Sequence, residues 1–204
     1  MKALVFSREL HGLKAYSDEG LLGHVDEFYF DDRSWNVRYL VLDVGHWLKN
    51  RKVLISPVAL GGIDWQEGGV RITATEEQIS KSPDASTDLP VAWALELQIH
   101  RHYGWGMSWP ESYIGTKDDT GVGSEGKKYD PDLRSTRVLT GTSLVTNTGK
   151  TFGNVADFVI DPETWRIEFV AADRDRFRNI LLDPKLVQGI DVTRREIRIN
   201  LPAK

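Results

Sequence analysis

The chain has no cysteine, which excludes a disulfide framework, a thiol nucleophile and a thiolate metal site. It also lacks long apolar runs. None reaches the roughly 18 residues of a membrane-crossing helix, and the opening MKALVFSREL has no secretion-signal core. The expectation is a cytoplasmic chain that does not itself span a membrane. Excess charge of one sign is small: 26 Lys plus Arg against 30 Asp plus Glu, net −4. That balance argues against DNA as a partner. Residues 76–137 hold 7 basic and 11 acidic side chains, so the imbalance lies in the middle of the chain and the flanks are near neutral. Glycine-rich phosphate loops and zinc spacings are missing as well, and no cofactor or metal is expected.

What is present is a repeat. GHVDEFYFDDRSWNVRYLVLD at residues 23–43 returns as GNVADFVIDPETWRIEFVAAD at residues 153–173. At this offset Gly23, Asp31 and Trp35 fall on Gly153, Asp161 and Trp165. Each copy reads as a β-hairpin. The second arm alternates Trp35, Val37, Tyr39, Val41 and Trp165, Ile167, Phe169, Ala171, the period of a strand. Leu40 and Leu42 predict that the first copy is covered on both faces. On the first arm, Val25 to Phe28 and Val155 to Phe158 are steps of three, which predicts a bulge. The arms meet at DDRS and DPET, where Pro162 suits a type I turn and the preceding Asp can accept from the backbone. A second match, at an offset three residues shorter, sets Pro57 on Pro184, Asp64 on Asp191 and Ile72 on Ile199. Each copy thus predicts about five short strands, which bury their faces most simply as a small barrel.

Between the copies, Thr75 and Gln78 form a capping box that opens a short helix. A longer helix is expected from Pro90 to Tyr103, burying Ala92, Leu95, Ile99 and His102. Lys117 to Lys128 reads as flexible. The predicted organisation is a first barrel over residues 1–75, a helical and flexible connector over 76–134, and a second barrel over 135–204. Ahead of the first barrel, Leu4 and Phe6 read as an edge strand with Leu10 packed beneath it.

The densest aromatic patch is Tyr103, Trp105, Trp109 and Tyr113 with His100 and His102. It suits a partner-binding surface, and equally a small core that pins the connector. His100 and His102 are two residues apart on a helix and point away from one another, so they do not make a metal pair. Arg174, Arg176 and Arg178 could meet an anionic surface or lie in a solvated loop. Trp47, in the corresponding loop of the first copy, is the better contact residue if exposed. The recurring Asp43, Asp173, Asp64 and Asp191 read as turn caps rather than catalytic acids.

The motifs Gly23-x-Val25-x-Glu27-Phe28-x-x-Asp31, Trp35-x-x-Arg38-Tyr39-Leu40-Val41 and Val53-Leu54-Ile55-Ser56-Pro57 resemble the PRC-barrel. That β-barrel occurs in the cytoplasmic part of the photosynthetic reaction-centre H subunit and in a ribosome-maturation protein. The whole arrangement resembles bacterial tandem PRC-barrel proteins. The resemblance covers most of the chain and implies a mainly β fold of two small PRC-type barrels joined by a partly helical connector. It implies a non-catalytic module that docks on a protein partner. Self-association through barrel edges or the connector is expected as well. The alternatives are a ribosome- or RNA-associated assembly factor, or a scaffold associated with electron transport. A small-ligand binder or an enzyme would need a concave polar pocket.

Overall fold

The computed structural model describes residues 4–49, 51–83, 85, 91, 93–106, 130–175 and 178–201. The expected flexible stretch and Pro90, Trp109, Tyr113 and Arg176 lie outside them. The fold is mainly β, with two seven-stranded sheets of like order. Repeat one supplies β1 (Val5–Phe6), α1 (Ser7–Leu10), β2 (Lys14–Ser17), β3 (Gly20–Asp31), β4 (Val37–Asp43), β5 (Lys52–Ile55), β6 (Leu60–Asp64) and β7 (Gly69–Ile72). The helices α2 (Glu76–Ser80) and α3 (Trp93–Tyr103) follow. Repeat two supplies β8 (Leu133–Ser135), α4 (Thr136–Leu139), β9 (Ser143–Thr146), β10 (Thr151–Asp161), β11 (Arg166–Asp175), β12 (Arg178–Leu182), β13 (Val187–Asp191) and β14 (Glu196–Ile199). The sheet orders β5-β4-β3-β2-β7-β6 and β12-β11-β10-β9-β14-β13 correspond strand for strand. In each, the last strand of the copy returns parallel to its first, β7 on β2 and β14 on β9, which curls the sheet into a barrel-like unit.

The compact units do not follow the repeats. One comprises Met1–Gly12, Glu27–Arg38 and Arg134–Lys204; the other comprises Leu13–Asp26 and Tyr39–Leu133. The reason is an exchange of lead-in segments. β1 pairs with β10 of repeat two, Val5 opposite Ile160 and Phe6 opposite Val159, while β8 pairs with β3 of repeat one. The side chains repeat the exchange. Ser7 Oγ donates to Asp157 at 2.5 Å and Arg8 lies 3.4 Å from the same carboxylate. In the counterpart, Ser135 Oγ donates to Glu27, and Arg137 pairs with it at 2.6 Å. Glu27 and Asp157 are both buried, and a buried carboxylate needs such partners. Leu10 and Leu139 fill the core beneath. The expected edge strand at the N-terminus is present, but Val5 rather than Leu4 or Phe6 faces inward.

The same unit holds both hairpin tips, where the tryptophans stay in phase with the buried Val37, Tyr39, Val41 and Ile167, Ala171 as predicted but lie outside the strands. Both tryptophans precede their strands, at φ 61° and 53°, as the last residue of a four-residue loop. The carbonyl just before the loop accepts from them: Asp31 from the Trp35 N–H at 2.7 Å, Asp161 from the Trp165 N–H at 2.8 Å. The aspartate carboxylates behave as expected, accepting the amides of Arg33 and Ser34 in one tip and of Glu163 in the other. A left-handed tryptophan costs about 1–3 kcal/mol. Both indoles are buried, Trp35 stacked on Phe30 at 5.3 Å and Trp165 on Phe28 at 6.1 Å. Roughly 200 Å² of buried aromatic surface, at about 25 cal/mol per Å², outweighs that strain. The backbone adds reciprocal bonds, Val37 N–H to Trp165 O and Ile167 N–H to Trp35 O, both 2.8 Å.

Two bulges explain the remaining burial pattern. Between Val155 and Asp157 the register slips by one residue on β10, so Val155 and Phe158 both face the core, as the step of three predicts. Between Val159 and Ile160 the partner β11 carries the extra residue, Glu168. The phase of β11 changes there, so Val170 is buried and Phe169 only half so. In β4, Tyr39 to Leu42 are all buried, which matches a strand covered on both faces. Ile197 and Ile199 point inward, and β14 ends before Leu201.

Gly23 sits where β3 crosses β4 so closely that a Cβ would overlap the Asp43 carbonyl oxygen. Backbone cannot swing aside as a side chain can. Gly23→Ala is expected to cost about 1–3 kcal/mol or more, read as a fall in the urea midpoint; an unchanged midpoint would show that the strands are not this close. Its counterpart Gly153 pairs with Leu144 on β9. Pro57 and Pro184 each open a 3-10 turn, Pro57–Ala59 and Pro184–Leu186, where a missing N–H does no harm.

Candidate functional site

The connector helix α3 turns a different face inward from the expected one. Glu96, Ile99, His100 and Tyr103 are buried, while Leu95, Leu97 and His102 are only partly so. The helix period is intact but rotated, because two polar side chains find partners inside. The Tyr39 hydroxyl lies 2.8 Å from Glu96 Oε2 and 3.0 Å from His100 Nε2, and the His100 ring meets Tyr39 edge-on. A buried polar network of this kind fixes helix register against the barrel strand. The capping box that opens α2 forms as expected, Gln78 N–H to Thr75 Oγ1 at 3.1 Å and Thr75 N–H to Gln78 Oε1 at 2.9 Å.

The predicted contact residues divide as follows. Tyr103 is buried and stacks on the half-buried Trp105 at 4.1 Å. His102 Nε2 lies 2.6 Å from the Gln78 carbonyl. Trp47 is half buried, and its indole N–H donates to Leu22 O at 2.7 Å. Arg174 and Arg178 lie on the adjoining strands β11 and β12, whose pairing ends with Asp175 opposite Arg178. The connector aromatics that the structure describes therefore pack inward as a local core. His100 and His102 point to different partners, and no metal-holding cluster of His, Asp or Glu occurs among the described residues.

Burial pushes the Tyr103 phenol up to about 12 from its ordinary 10.0, against the opposing influence of Ser82 and Arg51. The folded chain therefore keeps a proton that the unfolded chain loses near pH 10. The associated stability is full below pH 10 and is lost as pH rises toward 12. Tyr103→Phe should remove that part of the alkaline decline, seen in unfolding free energies measured across this window. An unaltered slope would place the phenol in water.

Among the described residues, the exposed large apolar side chains include Leu21 and Leu181 on strands, Val58 in a 3-10 turn, Val138 on α4, and Trp65 and Val192 on loops. Trp65 is 51 % exposed and Val192 44 %, at corresponding positions of the β6–β7 and β13–β14 loops. Both loops follow the plan of the hairpin tips. Asp64 accepts the amides of Gln66 and Glu67, and Asp191 accepts that of Arg194. The fourth loop residue is left-handed, Gly68 at φ 63° and Arg195 at φ 53°. Beside the second loop, Arg137, Val138, Leu139, Thr142, Val192 and Arg195 line a groove of about 290 Å³. Val138 is 45 % exposed there. The groove is an apolar floor between two arginines, the anatomy of a small docking surface.

A second concavity, of about 610 Å³, is lined by His24, Asp43, Gly45, His46 and Lys52. Lys52 is paired with Asp26 at 2.8 Å, Asp43 accepts the Gly45 amide, and the two histidines are exposed with ring centres 6.2 Å apart. The carboxylate is engaged in a turn cap, as the recurring aspartates were expected to be.

The PRC-barrel domain model matches residues 3–79 and 131–204, one segment in each repeat. No curated protein matches the chain at a significant level. Among the described residues, no helix is long and apolar enough to cross a membrane.

Proposed function

The chain belongs to the PRC-barrel domain family, and from that premise we propose that it works as a non-catalytic adaptor, docking on a protein partner through side chains held on its barrel loops. The observation that carries this reading is the pair Trp65 and Val192. They occupy matching loop positions and remain about half exposed, while the strands beside them bury Val70, Ile72, Ile197 and Ile199. A tryptophan fixed on a tight loop gives large contact area at little entropic cost, and such residues dominate protein interfaces. The inward packing of Tyr103 and its stack with Trp105 favour the loops over the connector. Of the two groove arginines Arg137 is paired with Glu27, and Arg194 on the adjoining loop lies 3.7 Å from Asp191. That favours a protein partner over the phosphate backbone of RNA.

The test is capture of partner by immobilised protein, intact against Trp65→Ala. The variant should keep its melting temperature, since the side chain is exposed, and lose at least tenfold in partner affinity. Equal capture by both forms would return the docking surface to Trp105 and the connector. Capture abolished by nuclease and steeply reduced by salt would favour the ribosomal reading.

A further inference from the structure

Among the described residues, three that are not glycine have positive φ: Trp35, Trp165 and Arg195. All three are the fourth residue of an Asp-led loop. The two tryptophans recover the strain by burying their indoles. Arg195 does not: its side chain is exposed, and no ion pair of it is found among the described residues. The equivalent position in repeat one is Gly68, which adopts the same conformation without strain. Arg195 lies along the groove, and among the described residues no ion pair repays its strain, which points to a partner outside the chain.

The same comparison identifies a complementary surface. The loop of repeat one reads Asp64-Trp65-Gln66-Glu67-Gly68, and that of repeat two Asp191-Val192-Thr193-Arg194-Arg195. One is acidic with a large exposed indole. The other is basic and borders a groove floored by Val138 and Leu139. Charge is reversed at Glu67 against Arg194, and glycine is exchanged for Arg195. The arginine guanidinium suits a carboxylate on an incoming loop, and about 290 Å³ has room for an indole beside it.

We propose that the groove between Arg137 and Arg195 receives the Trp65 loop of a second copy of this chain. This rests on the docking reading above and names its partner. The indole lies on Val138 and Val192, with Glu67 facing Arg195. Because the two surfaces differ, the contact is heterologous, and assembly proceeds beyond a dimer unless the geometry closes a ring.

Sedimentation velocity over a concentration series decides it. The intact chain should gain mass with concentration, and less so at high salt. Trp65→Ala and Arg195→Gly should each weaken assembly at least tenfold. Arg195→Gly removes backbone strain, so its melting temperature should hold or rise, which separates lost docking from lost folding. Glu67→Arg should also weaken assembly, and adding Arg195→Glu to it should restore part of the loss. An intact chain that stays monomeric into the millimolar range overturns the proposal, and so does assembly unmoved by Arg195→Gly. If the chain is monomeric and Trp65→Ala still abolishes capture of another protein, self-docking falls and the adaptor reading stands.

Discussion

Removing residues 1–12 should unfold the unit that contains repeat two, although none of those residues belongs to that repeat. The deletion strips the β1 ladder from β10 at Ile160 and Val159 and removes Val5 and Leu10, both buried. Each such side chain contributes about 1.5–3 kcal/mol. It also takes Ser7 and Arg8 from Asp157, and leaving a buried carboxylate without its partner costs about 3–5 kcal/mol. The sum rivals the roughly 5–15 kcal/mol that holds a whole domain together. Near-ultraviolet circular dichroism and a urea titration would show lost tertiary structure or a greatly lowered midpoint. Adding the 1–12 peptide in trans should restore part of it. A deletion variant with the midpoint of the intact chain would mean that the exchanged segment is only laid on the surface.

The second large effect is expected at Phe158. Its ring is fully buried and lies 5.4 Å from Phe30, where the hairpin tip of repeat one meets β10. Phe158→Ala leaves a cavity in a close-packed core and should cost about 3–5 kcal/mol. At this chain length each kcal/mol moves the melting temperature by about 2–4 °C, so a fall on the order of 10 °C is expected by calorimetry. Phe30→Ala should cost a similar amount, and the double variant less than the sum, because the two rings share one contact. Strict additivity would contradict their packing together.

Much of the fold could be read from the residues because its determinants are local. The repeat, the capping box at Thr75, the aspartates that accept turn amides, the close approach at Gly23 and the bulge between Val155 and Phe158 each follow from spacing and side-chain chemistry. The exchange of lead-in segments could not. Val5 to Leu10 would suit the long strand of either copy, and nothing local says which of two similar strands a short edge will join. Trp35 and Trp165 are in phase with their strands, yet the aspartate four residues earlier sets a left-handed loop end at each. The inward face of Glu96 and His100 is not legible from the helix pattern, because their burial depends on a tyrosine about 60 positions away. The loop surface was legible in part. Setting Gly68 against Arg195 in the second match exposes the strained arginine, a signal available from the repeat alone.

The most direct test of the central claim, that the barrel loops rather than the connector meet the partner, is photo-crosslinking in cells. A photoreactive side chain would be placed in turn at positions 65, 192 and 105. The account predicts discrete protein adducts from 65 and 192, including adducts between copies of this chain, and none from 105, beside the buried Tyr103. Adducts from 105 alone would contradict it and make the connector the docking surface.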